Sequence, residues 1–297
     1  MRFAVASLAL ALSLRALAAP VERDTATTPI NAATISSYSP YASFAAAAYC
    51  SGTANWSCTA CKRIPGFVTY ATGGDGNGIP FWYVGWWPSG NSVVVVHEGT
   101  DPTQFLSLLT DANILTDPLD AKLFPGVSSS VLVHDGFRNA QANSAPQVLA
   151  AVKKIIAEKG ATKVTTTGHS LGGALATLDA LYLKLNLPST IVVKAVTYGQ
   201  PRVGNQEFAN LIDQKIPDFS RVTHEYDVIP IVPGRGLGFH HTSGEKHIIA
   251  DANWVACAGQ DNTSTSCSTG AVPNIFVGSI VDHLGPYEGV WMGTIYC

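Results

Sequence analysis

Gly168-His169-Ser170-Leu171-Gly172 is the stretch whose residue types and spacing point most directly to chemistry. In a G-x-S-x-G nucleophile elbow, the serine hydroxyl stands clear of a sheet on a sharp strand-to-helix turn. The two glycines let the neighbouring segments pass closely enough to make that turn. Here the pentapeptide follows the β-branched run Val164–Thr167 and opens the apolar stretch Leu171–Leu185, kept slim by Gly173, Ala174 and Ala176. The start of a helix at this point adds a field that favours a developing oxyanion. The competing reading, a glycine-rich helix start without catalytic meaning, does not explain why a strand-like run leads directly into it.

An elbow serine needs an acid and a base later in the chain, in the order Ser, Asp or Glu, His. Of the eight histidines, His97, His134 and His169 precede Ser170, and His224 precedes the best acid. That leaves His240, His241, His247 and His283. His283 is preferred because Val281-Asp-His-Leu-Gly-Pro-Tyr287 is a Gly/Pro-containing loop that can carry an imidazole to a sheet edge. His240 and His241 read as structural. The spacing of 240, 241 and 247 lacks the carboxylate or cysteine pattern that would complete a metal site. The acid should leave a strand end, which favours Asp227, at the end of a run from Phe219 and before the exit at Pro230. Glu225 and Asp282 stay open as competitors. Glu225 faces the other side if the strand reaches residue 226, and Asp282 adjoins His283 closely for clamping its ring.

These residues must be held by a scaffold. Val93–His97, Val131–His134, Val164–Thr167 and Ile191–Tyr198 are β-branched runs bounded by turns and read as interior strands. Ala145–Lys159 and Leu171–Leu185 carry helical periodicity between them. Strands alternating with helices predict an α/β fold with a mostly parallel central sheet covered by helices. The whole is one domain over 29–297, since no repeat or linker divides it. The 297 residues are 46% hydrophobic and 13% charged, which excludes intrinsic disorder. A formal net charge of −3 excludes the basic surplus that nucleic-acid binding requires.

The N-terminus reads as an export signal over 1–18: Arg2, an apolar run from Phe3 to Leu14, then Ala16-Leu17-Ala18 as the cleavage site. The apolar run is too short for a transmembrane anchor across roughly 30 Å of hydrocarbon. Residues 19–28 read as a short pro-segment or frayed terminus. In an exported chain six cysteines favour disulfides. Cys58 with Cys61 makes a local bridge, Cys257 and Cys267 flank a polar loop, and Cys50 and Cys297 remain to tie the ends together. Asn55 and Asn262 begin N-glycosylation sequons.

The combination of Val133–Phe137 (Val-His-Asp-Gly-Phe), Thr167–Gly173, Thr197-Tyr-Gly-Gln-Pro-Arg-Val-Gly-Asn205, Asp227–Pro230 and His283 resembles the filamentous-fungal class 3 lipases over most of the chain. The resemblance implies an α/β-hydrolase fold with Ser170 as nucleophile, Asp227 as acid and His283 as base. It suits the cysteine pairing above. It also implies an oxyanion hole at Thr100, after the strand-like Val93–His97, together with the backbone N–H of Leu171. Glu98 stands two residues before Thr100, where the family carries a basic residue. Asp101-Pro-Thr-Gln104 has the form of a helix start, and Phe105, Leu106, Leu108 and Leu109 follow with apolar spacing. By the resemblance this helix is a lid; its other reading is an ordinary core helix.

The expected activity is hydrolysis of lipid carboxylic esters, as by a triacylglycerol lipase, through an acyl-enzyme on Ser170. It needs neither metal nor organic cofactor, and its partner is a lipid–water interface. Alternatives are a feruloyl esterase or phospholipase A1 on the same fold, or a non-catalytic secreted lipid-binding protein. The apolar residues at 105, 106, 108 and 109 weigh against the feruloyl esterase, which would favour a polar lid.

Overall fold

The computed structural model describes residues 25–110 and 114–297. The export signal over 1–18 and residues 19–24 of the pro-segment reading lie outside the described residues. The chain begins with β1 (Thr27–Pro29), α1 (Ala32–Ser36), α2 (Ser39–Ala47), β2 (Val68–Gly73), β3 (Trp82–Trp87), β4 (Ser92–His97) and α3 (Pro102–Leu109). The middle holds β5 (Thr116–Pro118), β6 (Leu132–His134), α4 (Asp135–Lys159), β7 (Lys163–His169) and α5 (Leu171–Asn186). It ends with β8 (Val192–Tyr198), α6 (Gln206–Lys215), β9 (Phe219–His224), β10 (Glu245–Ala250), β11 (Asn253–Cys257) and α7 (Ser268–Ala271).

Nine strands among the described residues form one sheet in the order β1-β11-β10-β9-β8-β7-β4-β3-β2. The central run β4, β7, β8, β9 and β10 is parallel, with antiparallel strands at both margins. Parallel neighbours require crossovers, and α5 and α6 supply two of them. Both faces of the centre are therefore covered, which is why β4 reads Ser-Val-Val-Val-Val-His without alternation. Val93 and Val95 join the core beneath α4 and α5, whereas Val94 and Val96 join the core of the opposite face with Phe44 of α2. Pairing of His97 with Gly168, His169 with Tyr198, and Tyr198 with Val222 aligns the carboxyl ends of four strands. Open α/β sheets present their sites along that edge.

Several expectations need correction. Val131–His134 is not interior to the main sheet: β6 pairs with β5 in a separate two-stranded sheet, and Val133 bridges to Gly204. A short β-branched run carries no information on which partner it finds. The helix expected from Ala145 starts ten residues earlier, at Asp135, and passes through Pro146. Its buried face runs Phe137, Gln141, Ser144, Ala145, Val148, Val152 and Ile155. The polar members of that stripe hide the periodicity, and Gln141 is polar for a reason: it donates to Asp179 at 2.8 Å, and Asp179 also meets His97 at 2.7 Å. The frayed terminus read up to residue 28 ends sooner, because Thr27 and Thr28 pair with Cys257 and Ala256.

The cysteines are bonded Cys50–Cys297, Cys58–Cys61 and Cys257–Cys267. No helix among the described residues is long and apolar enough to cross a membrane. Behind the carboxyl edge of the sheet, buried Arg202 pairs with Asp261 at 2.8 Å and donates to the carbonyls of Ile231 and Pro233. Asp261 in turn accepts from the His241 N–H, and its pKa is held well below the carboxylate range; burial opposes this lowering, while His240, Arg202 and His241 supply it. Removing one member of such a pair strands the other charge in the core. Arg202→Ala should therefore cost about 3–5 kcal/mol of stability, read as a lower urea midpoint at unchanged slope.

Candidate active site

Ser170 sits at the carboxyl end of β7 with φ 58° and ψ −127°, immediately before α5. A non-glycine residue held in that region costs on the order of 1–3 kcal/mol. The surrounding packing imposes it. A Cβ on Gly168 would lie 2.3 Å from the Gly172 carbonyl oxygen, and one on Gly172 would lie 2.2 Å from that of His97. Helix α5 thus rests on the strand ends with room for glycine alone. The backbone locks the turn, with Ser170 N–H donating to Tyr198 and Gly173 N–H donating to Ser170, both at 2.9 Å.

His283 lies in a single 3-10 turn, Asp282–Leu284, and Asp227 follows β9 just before a second such turn, Ile229–Ile231. Both side chains are buried. The His283 Nδ1–H donates to the Asp227 carboxylate, 2.9 Å from Oδ2 and 3.0 Å from Oδ1. Asp227 Oδ1 also accepts the Ile229 N–H at 2.8 Å. Because Nδ1 carries the proton, Nε2 presents a lone pair. Burial pushes the imidazole pKa down to about 3, so it stands neutral and able to accept a proton. Nε2 of His283 and Oγ of Ser170 are both buried without a hydrogen-bond partner. These are the two atoms between which a serine hydrolase moves its proton. In resting enzymes such contacts are often long and tighten only with substrate bound.

Three residues that the sequence reading passed over hold His283 in place. Its carbonyl accepts from His169 Nε2 at 2.7 Å and from the Tyr287 hydroxyl at 3.2 Å. Since a carbonyl only accepts, His169 carries its proton on Nε2, and Nδ1 accepts from the Tyr49 hydroxyl at 2.7 Å. Burial drives the His169 pKa well below the usual histidine range, which keeps this chain of bonds in one protonation state. Gly199, at φ 52°, completes the nest, because a Cβ there would lie 2.8 Å from the His283 ring. The competing acids do other work. Asp282 accepts the Tyr226 N–H at 3.1 Å, supporting the turn that presents Asp227, and Glu225 is half-buried with its carboxylate 4.0 Å from His224.

Thr100 and Leu171 line a common cavity of about 320 Å³ with Phe105 and Leu108 of α3 and Phe137 of α4. Leu171 opens α5, so its N–H has no partner within the helix. A Cβ on Gly99 would lie 3.0 Å from that of Ser170, so the segment leading to Thr100 passes directly against Ser170. Two backbone donors beside a poised serine can stabilise a tetrahedral oxyanion.

Residues 94–237 match the family model for lipase (class 3). A secreted mono- and diacylglycerol lipase of Malassezia globosa is 32% identical over 207 residues, 69% of this chain and 64% of that one, so this chain spans less than two thirds of that relative's length. The structure of lipase II from Rhizopus niveus superimposes with a TM-score of 0.78 at 29% identity, covering 91% of this chain and 99% of that one. The chain belongs to the class 3 lipase family. A further neighbour, described as a triacylglycerol lipase whose catalytic centre is a serine-protease triad, superimposes at 0.77 with 27% identity, over 91% of this chain and 99% of its own. The α/β-hydrolase fold is thus shared with solved lipases across nearly the whole described chain.

Helix α3 is capped by Asp101, whose carboxylate accepts the N–H groups of Thr103 and Gln104. Its four apolar residues do not form one face. Phe105 and Leu109 are buried and Leu106 is partly so, while Leu108 is 57% exposed, because an eight-residue helix lying over a cavity turns only one side inward. The histidines outside the site are structural in their contacts: His241 Nε2 donates to the Pro230 carbonyl at 2.7 Å, His247 Nδ1 meets Thr223 Oγ1 at 2.9 Å, and His240 lies 3.6 Å from Asp261. One glycan acceptor is corrected. Asn262 is buried, and its Nδ2 donates to the carbonyls of Ala26 and Ala258, leaving no access for a sugar. Asn55 is exposed.

Gly172→Ala should lift α5 off β4 and shift the Leu171 N–H. A displacement near 1 Å is expected to lower kcat on a soluble ester about 100-fold, with the helix content by circular dichroism retained.

Proposed function

We propose that this chain is a secreted serine lipase that hydrolyses carboxylic esters of acylglycerols through an acyl-enzyme on Ser170. The observation that carries the reading is the pair of free atoms, Ser170 Oγ and His283 Nε2, buried on a strained elbow and backed by the 2.9 Å bond from His283 to Asp227. Ser170 attacks the ester carbonyl while Nε2 takes its proton. Asp227 holds the tautomer and stabilises the imidazolium. The backbone donors of Thr100 and Leu171 receive the oxyanion, each donor of this kind being worth about 2.7–4 kcal/mol. The imidazolium returns the proton to the departing alcohol, and water activated by His283 then releases the fatty acid. Export by the segment 1–18 fits relatives named as secreted. Helix α3, with Leu108 outward and Phe105 over the cavity, is the lid that moves at a lipid surface.

Initial rates on tributyrin should jump as its concentration crosses the solubility limit, and Ser170→Ala should abolish turnover while leaving the melting temperature near that of the native protein. A folded Ser170→Ala variant with full activity would overturn the proposal.

A further inference from the structure

Glu98 is a carboxyl that the catalytic arrangement leaves unused. It sits 8% exposed just past the end of β4, and among the described residues its carboxyl has one hydrogen bond, a long one: Oε2 accepts from the Phe81 N–H at 3.4 Å. None of the ion pairs formed by the described residues includes it. With Tyr49, Thr100, His169, Leu284 and Ile295 it lines a cavity of about 430 Å³.

This cavity and the one beneath α3 meet at Thr100, which belongs to both walls. An ester whose carbonyl oxygen is held at Thr100 has two substituents to place, an acyl chain and an alcohol. The cavity under α3 is bounded by Phe105, Leu108, Phe137 and Ala140, surfaces suited to an acyl chain. The second cavity borders the catalytic set through His169, which precedes Ser170, and Leu284, which follows His283. Among the polar groups on its wall, Asp101 is engaged in capping α3 and Tyr49 and His169 in bonding each other, whereas the Glu98 carboxyl keeps spare acceptor capacity.

We propose that the Glu98 cavity is the alcohol subsite and that Glu98 accepts a hydrogen bond from a free glycerol hydroxyl, selecting mono- and diacylglycerols over triesters. The inference rests on the lipase reading above. A partial glyceride brings a hydroxyl donor to the carboxyl. A triester has none, and in binding it displaces water and leaves a buried acceptor unmatched, the situation in which polar sites discriminate most strongly.

The charge state adds a second signature. Burial pushes the Glu98 carboxyl up to about 7. The other titratable groups around the cavity stay fixed near neutrality. Burial pushes the Tyr49 phenol up and the His169 imidazole down, and the hydrogen bonds of Thr103 and Gln104 hold Asp101 down. Above about pH 7 Glu98 is ionised and only accepts; below it the protonated acid can donate to a second ester carbonyl. Preference for the partial glyceride therefore rises as pH rises.

The test is kcat/KM for 1-monobutyrin and for tributyrin, both below their solubility limits. It compares the full-length native enzyme with Glu98→Gln and Glu98→Leu from mildly acid to mildly alkaline pH, with Ser170→Ala as the blank. The monobutyrin-to-tributyrin ratio should rise through neutrality in the native enzyme and be flat in both variants. In Glu98→Leu it should fall about tenfold or more at alkaline pH, the loss of one hydrogen bond to a charged group. The inference is overturned if the ratio and its pH dependence persist in Glu98→Gln, or if both substrates decline in parallel, which would make Glu98 a support for the Thr100 segment only. Native rates no higher than the Ser170→Ala blank on either ester would instead remove the lipase reading beneath it.

Discussion

The contact between helix α5 and the ends of β4 and β7 governs the carboxyl edge of the sheet, where the candidate site lies. With the Gly172 Cα close enough to β4 that a methyl group would meet the His97 carbonyl at 2.2 Å, the chain has no room for a gentle turn. Ser170 absorbs the geometry at φ 58°. The same approach sets the start of α5 against Glu98, so that the proposed nucleophile and the proposed oxyanion donors share one rigid junction. Local strain of this kind persists only where surrounding structure over-determines it. Here the over-determination comes from a five-strand parallel sheet buried on both faces.

Opposite that junction, His283, the proposed base, is held by bonds rather than by packing alone. Tyr49, His169, His283 and Asp227 form one buried sequence of donors and acceptors, with Tyr287 bracing the His283 carbonyl. Each imidazole has its tautomer dictated by a partner that can only accept. Desolvation keeps both rings neutral, so the lone pair of His283 Nε2 is available without a pH-dependent rearrangement. His169, the residue before Ser170, is thus part of the support for His283, which couples the elbow to a loop more than a hundred residues away.

What could be read from the sequence follows from how local the physical cause is. The elbow is legible because glycine is demanded at two fixed spacings by close backbone approach. The pairing of Asp227 with His283 is legible because chain order and turn residues prune the candidates. The clamp by Tyr49 and Tyr287 is not, since hydrogen bonds between distant segments leave no spacing behind. The first turns of α4 were hidden by Gln141 and Ser144, polar residues buried on its core face, Gln141 there to satisfy Asp179. The β6 run looked like a core strand because burial and β-branching are the same whichever sheet it joins. Asn262 shows the converse: a sequon specifies a local pattern, while the folded chain uses both amide hydrogens of that side chain internally.

The central claim is that Ser170 is activated by the neutral His283 held by Asp227. The most direct measurement is stoichiometric labelling with an alkyl phosphonate fluorophore, with the adduct located by peptide mass spectrometry in the native enzyme and in His283→Ala. One phosphonyl group per chain on the peptide containing Ser170, formed rapidly by the native enzyme and at least 100-fold more slowly by His283→Ala, is the predicted result. Labelling at another residue, or equal rates in the two proteins, would contradict it.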